Sequence, residues 1–206
     1  MQTKSAITVI ACLLTVAAIA SSFFVSSYSG TETVKDDVEA ARMVRSANNF
    51  DKMMQVLTHK RCVNCHPSDG VPKQGEDSHP HYFGIQRGKG NHGFEATNCN
   101  TCHQKENNVF SGVPGAPEWS LAPDSMRWEG LSRTEIAKSI LDPKRNGNRD
   151  HDAIMHHLTE HELVLWAWEP GVDAAGKPRE KPPVPKDEYI AAVKQWFKDG
   201  AVIPEE

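Results

Sequence analysis

The sequence predicts a mostly α-helical fold with long loops. Apolar residues recur at helical spacing in several segments, capping signals mark helix starts in the C-terminal half, and the stretches between them are rich in Gly and Pro. The 206-residue chain has a formal net charge of −4 and no basic patch, which argues against nucleic acid as a partner. Without its N-terminal segment, the chain has the length of one domain.

The N-terminal residues 1–29 predict an export signal or a membrane anchor. Residues 6–25 form an almost unbroken apolar run, with one charge before it. The run is long for a signal peptide and just long enough to span a bilayer, so both outcomes stay open. Either one places the remaining chain in the periplasm, free or anchored to the inner membrane. Residues 30–48 are polar and charged and predict a tether, which leaves 49–206 as the folded domain.

The helices are predicted from periodicity and capping. Apolar residues between 50 and 57 share one helical face, with Asn49 as the N-cap. Residues 67–98 show no sustained period and predict loop. Capping boxes at Ser132 and Thr159 mark two further helix starts. The C-terminal helices are predicted at 132–142, 150–158, 159–170 and 187–199.

One short pattern occurs twice: residues 62–66 and 99–103 both have the form C-x-x-C-H. This is the attachment signature for c-type haem. Two thiols on one turn reach two vinyl groups of one porphyrin, and the following imidazole ligates the iron. The sequence therefore predicts two covalently bound haem c groups. The predicted attachment residues are Cys62, Cys65, Cys99 and Cys102, and the predicted first iron ligands are His66 and His103.

Two other uses of paired cysteines fit the sequence less well. Zinc ribbons place their C-x-x-C pairs about 15 to 20 residues apart, whereas the stretch from His66 to Cys99 is longer. Zinc also gives no reason for a histidine after each pair. A disulfide scaffold lacks partners, because the fifth cysteine, Cys12, lies in the apolar N-terminal run.

The short distance between the motifs predicts that both haems share one domain. Two separate cytochrome c domains would each need about 80 residues or more, but only residues 67–98 separate the motifs. The predicted fold class is therefore mostly α, with cytochrome c-like helices and long loops that wrap two covalently attached haems. In such folds the last helix, here 187–199, packs against the helix before the first motif.

Each iron needs a ligand on its second face. His79 and His81 lie in a loop that a proline stiffens, and His157 occupies a predicted inward position on its helix. We predict His81 or His79 on one iron and His157 on the other, with Met126 as the thioether alternative. For each of these residues, an ordinary surface or hydrogen-bonded role remains open. The candidate partners for haem propionates are Arg87, Arg127 and Arg145.

Beyond the two motifs, several short segments carry a resemblance: 79–81, 113–117, 121–123, 128–130, 142–147 and 166–171. With the motifs, they resemble a family of exported dihaem cytochromes labelled as the cytochrome subunit associated with isoquinoline 1-oxidoreductase. The resemblance covers most of residues 62–200. It implies an electron acceptor for a molybdenum hydroxylase.

The expected function is electron transfer between a periplasmic or membrane redox enzyme and a further acceptor. The donor would be a molybdenum hydroxylase or a membrane dehydrogenase. The alternative is a dihaem oxidoreductase, peroxidase-like or of the thiosulfate type, in which one haem has an open site beside an acid or base. His92 and Glu118 are the candidates for that group. The two functions differ in whether either iron binds an external ligand.

Overall fold

The computed structural model describes residues 34–205, and the chain divides into two units, Met1–Arg45 and Ser46–Glu206. The predicted signal or anchor, 1–29, lies outside the described residues, as does the start of the predicted tether. In the first unit, residues 34–45 are helical, and Arg42 pairs with Glu39 at 2.6 Å. No helix within 34–205 has the length and apolar character needed to cross a membrane.

Helix α1 covers residues 46–57 of the second unit, so the predicted N-cap at Asn49 is wrong. Residues 34–48 include many good helix formers and no Gly or Pro, so no local signal starts a helix at Asn49. The apolar face was predicted correctly, because Phe50, Met53 and Leu57 are buried. A short break separates α1 from helix α2 (Lys60–Val63), which carries the first cysteine of the first motif.

Residues 67–98 are mainly loop, as predicted, with two short antiparallel hairpins. Strand β1 (Lys73–Gln74) pairs with β2 (His79–Pro80), and β3 (Gly93–Phe94) pairs with β4 (Thr97–Asn98). Gly88 allows the loop to close, because its φ is 64° and a Cβ there would collide with the carbonyl of Gly93. A 3-10 turn, Cys99–Thr101, then begins the second motif.

Four helices form the C-terminal half: α3 (Arg133–Leu141), α4 (His151–Glu160), α5 (Glu162–Leu165) and α6 (Lys186–Lys198). The capping box at Ser132 is confirmed, with Glu135 as its partner. The predicted capping box at Thr159 is wrong. Thr159 is buried inside α4, where its hydroxyl donates to the carbonyl of Met155 at 2.9 Å, and α5 begins after His161 without a side-chain cap.

The second unit has one main apolar core, to which the end of α1, helices α3, α4 and α6, and the loop around Trp128 contribute. Phe50 of α1 contacts Trp196 of α6, with ring centroids 6.2 Å apart. This contact confirms the expected packing of the last helix against the helix before the first motif. The core thereby fixes the point from which α2 and the first motif leave α1.

Candidate functional site

A cavity of about 640 Å³ lies beside the first C-x-x-C-H motif. Its wall includes Cys62, Cys65 and His66 from the motif, together with His157 of α4. The volume falls within the roughly 300 to 1,000 Å³ that cofactor and ligand pockets occupy. The first C-x-x-C-H motif and one predicted sixth ligand therefore share a cavity, although 90 residues lie between His66 and His157 in the sequence.

The imidazole of His66 is held in one orientation. Its Nδ1 lies 2.6 Å from the carbonyl oxygen of Met126. Because a carbonyl only accepts hydrogen bonds, Nδ1 carries the proton and Nε2 keeps a free lone pair. The ring also stacks on Trp128, with centroids 3.5 Å apart and planes 10° from parallel. A fixed imidazole whose Nδ1–H is bound to a carbonyl is the arrangement that metal-ligating histidines adopt.

Backbone hydrogen bonds explain why this loop lies against the motif. The amide of Trp128 donates to the carbonyl of His66 at 2.9 Å, and the amide of Ala122 donates to the carbonyl of Cys65 at 3.0 Å. The loop is thus attached to the motif at two points. That attachment positions both the carbonyl of Met126 and the indole of Trp128 beside the ring of His66.

Burial determines the protonation of the first site. It lowers the pKa of His66 to about 3 and that of His157 to about 4, with the charge of Arg149 contributing at His157. It raises the pKa of Cys62 to about 12 and that of Cys65 to about 11. At neutral pH the imidazoles are therefore neutral, the form that ligates metals, and the unligated thiols are protonated.

The second motif repeats the arrangement of the first. Nδ1 of His103 donates to the carbonyl of Pro114 at 2.7 Å, and the ring stacks on Trp119 with centroids 4.5 Å apart and planes at 6°. Gly115 permits this contact, since a Cβ there would collide with the backbone of the segment that follows His103, at Gln104 and Glu106. Each motif histidine therefore has a loop carbonyl behind it and a tryptophan beside it.

His81 is the histidine that lies against His103. Their ring centroids are 6.0 Å apart, and the planes meet at 71°. Nδ1 of His81 donates to the carbonyl of Tyr82 at 2.8 Å, which leaves Nε2 free as in His103. Two imidazoles on opposite faces of one metal have centroids roughly 6 Å apart, because each metal–nitrogen bond is about 2 Å long. The observed spacing fits that requirement.

The other two candidate ligands are engaged differently. Both ring nitrogens of His79 have partners, with Asp77 at 2.6 Å and the side-chain amide of Gln74 at 3.1 Å. Met126 lines the first cavity, but its carbonyl lies against Nδ1 of His66 and its side chain belongs to the apolar core. Of the four predicted sixth ligands, His81 contacts the ring of a motif histidine, and His157 shares the first cavity with Met126 and His66.

The two sites share a wall. Asn100, which lies between the two cysteines of the second motif, lines the first cavity. The charge of Cys99 contributes to raising the pKa of Cys65, so the two motifs approach each other at these thiols. Trp166 also lines the cavity and contacts Trp119 edge to face, with centroids 4.9 Å apart. The predicted single domain for both motifs agrees with this adjacency.

Several polar groups on the cavity wall were not predicted as ligands. Nε2 of His161 lies 3.4 Å from a carboxylate oxygen of Glu118, and both residues line the cavity with His92. Nδ1 of His161 and Nδ1 of His92 are buried and have no hydrogen-bond partner among residues 34–205. Buried polar atoms without partners are rare, and these two lie on residues of the cavity wall.

The three arginines predicted as propionate partners are instead bound within the chain. Arg87 donates to the carbonyl of Ala122 and pairs with Asp124 at 3.0 Å. Arg127 makes a bidentate contact with the same carboxylate, and Arg145 donates to the carbonyl of Ser125 at 3.1 Å. The structure places a different arginine, Arg149, on the cavity wall. Sequence spacing carried no signal that separates Arg149 from Arg145.

The chain matches no family model, and no curated protein or solved structure is similar to it at a significant level. Within residues 34–205, no group of three or more His, Cys, Asp or Glu side chains is placed to hold a metal ion. A haem iron takes four ligands from its porphyrin and two from the protein, so a haem site differs from such a group.

Proposed function

We propose that this protein transfers electrons by means of two c-type haems, one attached at each C-x-x-C-H motif. Bound haem would supply an iron that changes between the ferric and ferrous states. The observation that carries the proposal is the pair His81 and His103, whose centroids lie 6.0 Å apart and whose Nδ1 atoms both donate to carbonyls. The spacing of the two rings matches that of two imidazoles bound to one iron.

At the first motif, the residues suit the same role. The thiols of Cys62 and Cys65 would hold the cofactor covalently, while the carbonyl of Met126 and the indole of Trp128 keep Nε2 of His66 aimed at the iron. His157 supplies a second neutral imidazole on the same cavity wall.

Two protein ligands on each iron favour electron transfer over catalysis. With an imidazole on both faces, no position is left for a substrate or for a small external ligand. The shared wall at Asn100 keeps the two sites adjacent, so an electron that enters one site can pass to the other within the same domain. The protein would therefore act as a short relay or as a store for two electrons.

The test is the cofactor content and ligation of the purified protein. The chain would be exported with its own leader in a bacterium that matures c-type haems, and its haem would be counted by the alkaline pyridine assay. We expect two haems per chain, both low-spin, with no binding of carbon monoxide and no near-infrared band of methionine ligation. A chain that matures without covalent haem would exclude the proposal.

The partners follow from location and chemistry. We propose that the protein works in the periplasm, soluble or anchored by its N-terminal segment, and accepts electrons from a redox enzyme there. The family resemblance favours a molybdenum hydroxylase as the donor, and a membrane dehydrogenase is the other candidate. Mild detergent extraction followed by affinity purification of cross-linked complexes would identify the donor.

A second candidate function is a dihaem oxidoreductase with one open site. Glu118 and His92, the residues considered for acid or base chemistry, both line the first cavity, and Glu118 contacts His161. In this alternative, His157 would leave the first iron so that substrate could reach it. Carbon monoxide binding to one haem of the reduced wild-type protein would favour the enzyme, and its absence would favour the relay.

A further inference from the structure

The first cavity has one arginine on its wall that lacks a carboxylate partner. Nη1 of Arg149 donates to the carbonyl of Asn146 at 2.7 Å, and no carboxylate within 34–205 forms an ion pair with its guanidinium. Arg61, the other arginine on this wall, pairs with Glu76. Arg149 is half-buried, and its guanidinium is therefore available to a carboxylate of a group bound in the cavity.

The loop before α4 is built to hold Arg149 in this position. Asn146 is 2% exposed, and its side-chain amide donates to the carbonyls of Ile140 at 2.8 Å and Arg149 at 3.1 Å. Its Oδ1 accepts the backbone N–H of Arg149 at 2.8 Å. Gly147, with φ of 80°, leaves room for the guanidinium, because a Cβ there would lie 2.9 Å from Nη1.

We propose that Arg149 binds a carboxylate inside the first cavity and that this carboxylate is a propionate of the haem attached at Cys62 and Cys65. The planar guanidinium matches a carboxylate with two parallel hydrogen bonds, which a lysine cannot reproduce. The inference rests on the proposed function and adds to it a residue that the haem motifs do not contain. The inference also gives Arg149 the role that was predicted for Arg145, which lies in the same loop but contacts the carbonyl of Ser125.

The expected consequence is electrostatic. An unpaired propionate near the iron stabilises the ferric state, which carries one more positive charge than the ferrous state. Removing Arg149 should therefore make the first haem harder to reduce. The second haem lies beyond the shared wall and should change less.

The experiment is a potentiometric titration of the mature two-haem protein, followed by optical absorption in phosphate buffer free of carboxylic acids. In Arg149→Gln, we expect the ferric-to-ferrous ratio of one haem at fixed potential to rise about three- to tenfold, a downward shift of roughly 30 to 60 mV at 59 mV per tenfold change. Arg149→Lys should shift less, because it keeps the charge. Arg145→Gln is the matched control and should leave both potentials unchanged.

An unchanged potential in Arg149→Gln would overturn the proposal, and so would an equal shift in Arg145→Gln. If added acetate shifts the wild type but not Arg149→Gln, the site binds free carboxylates and the assignment to a propionate is wrong. If Arg149→Gln matures with one haem, Arg149→Lys must restore the second, and its failure to do so counts against the proposal. A wild-type chain without haem would instead refute the proposed function itself.

Discussion

The indole N–H of Trp128 donates to the hydroxyl of Ser139 at 3.0 Å, and the hydroxyl donates onward to the carbonyl of Ile136 at 2.7 Å. Ser139 is fully buried in α3. The same indole stacks on the imidazole of His66. Helix α3, which contributes no ligand, therefore determines the plane of the ring that would ligate the first iron.

Replacing Ser139 with Ala should destabilise the protein. The mutation leaves the buried indole N–H of Trp128 without an acceptor, and such a loss costs about 1 to 3 kcal/mol. The free energy of unfolding from guanidinium chloride denaturation measures it. Ser125→Ala is the control, because that hydroxyl lies on an exposed residue and its loss should change stability by less than about 0.5 kcal/mol. Equal effects would show that the indole N–H finds another partner.

Replacing His81 with Ala should open one iron. His81 is the imidazole next to His103, so its loss should convert one of the two haems to a high-spin, five-coordinate form that binds carbon monoxide when reduced. His79→Ala is the matched control in the same loop and should leave both haems low-spin, since Asp77 and Gln74 hold that ring. A high-spin haem in His79→Ala, with none in His81→Ala, would show that His79 rather than His81 is the sixth ligand.

Replacing His157 with Ala should open the other iron. The absorption spectrum of His157→Ala should show one high-spin haem, and the double variant with His81→Ala should show two. His156→Ala is the control on the same helix, because His156 is exposed and pairs with Glu160. If His157→Ala remains fully low-spin, the sixth ligand is another cavity residue, with His161 the first to test.

The anchoring of α2 should depend on pH through Glu180. Its carboxylate accepts from Lys60 at 2.9 Å and contacts His59 at 3.2 Å, and the hydrogen bond from Lys60 holds the pKa of Glu180 below its usual value of 4.5. Because the folded-state pKa is lowered, the stabilisation is complete above that value and is lost as the pH falls through the folded-state pKa.

Glu180→Gln should therefore melt below the wild type at about pH 7, and the difference should shrink by about pH 3.5. Thermal unfolding followed by circular dichroism at several pH values measures it. Glu95→Gln, in the exposed turn between β3 and β4, is the control and should follow the wild type throughout. If the difference in melting temperature grew toward low pH instead, the contact of Glu180 with Lys60 and His59 would not depend on the charge of Glu180.

The parts of the fold that were predictable depend on local signals. The capping box at Ser132 and the last helix, predicted at 187–199, each depend on signals within about four turns of helix, and both are confirmed. The helical state of the residues before Asn49 was not predictable, because polar residues fit both an exposed helix and a tether. Thr159 was misread because a threonine that donates to the preceding turn has the same sequence pattern as one that caps a helix.

The candidate site divides in the same way. The two motifs are visible in the sequence because the proposed attachment of haem requires a fixed spacing of two cysteines and a histidine. The environment of His66 was not visible, since the carbonyl of Met126 lies 60 residues away in the chain. Arg149 and Arg145 lie in the same loop. The position of Arg149 depends on the buried side chain of Asn146, which accepts the backbone N–H of Arg149. Long-range packing, rather than local pattern, decides such positions.

The wall of the first cavity is drawn from residues 57 to 166, so the cavity is complete only when α4 and α5 have folded beside the first motif. Cys62 and Cys65 precede His157 in the chain and emerge before it. A cofactor held by non-covalent contacts would have to wait for α4, whereas one bonded to the two thiols stays in place from the start. Covalent attachment would thus separate the timing of cofactor capture from the timing of folding.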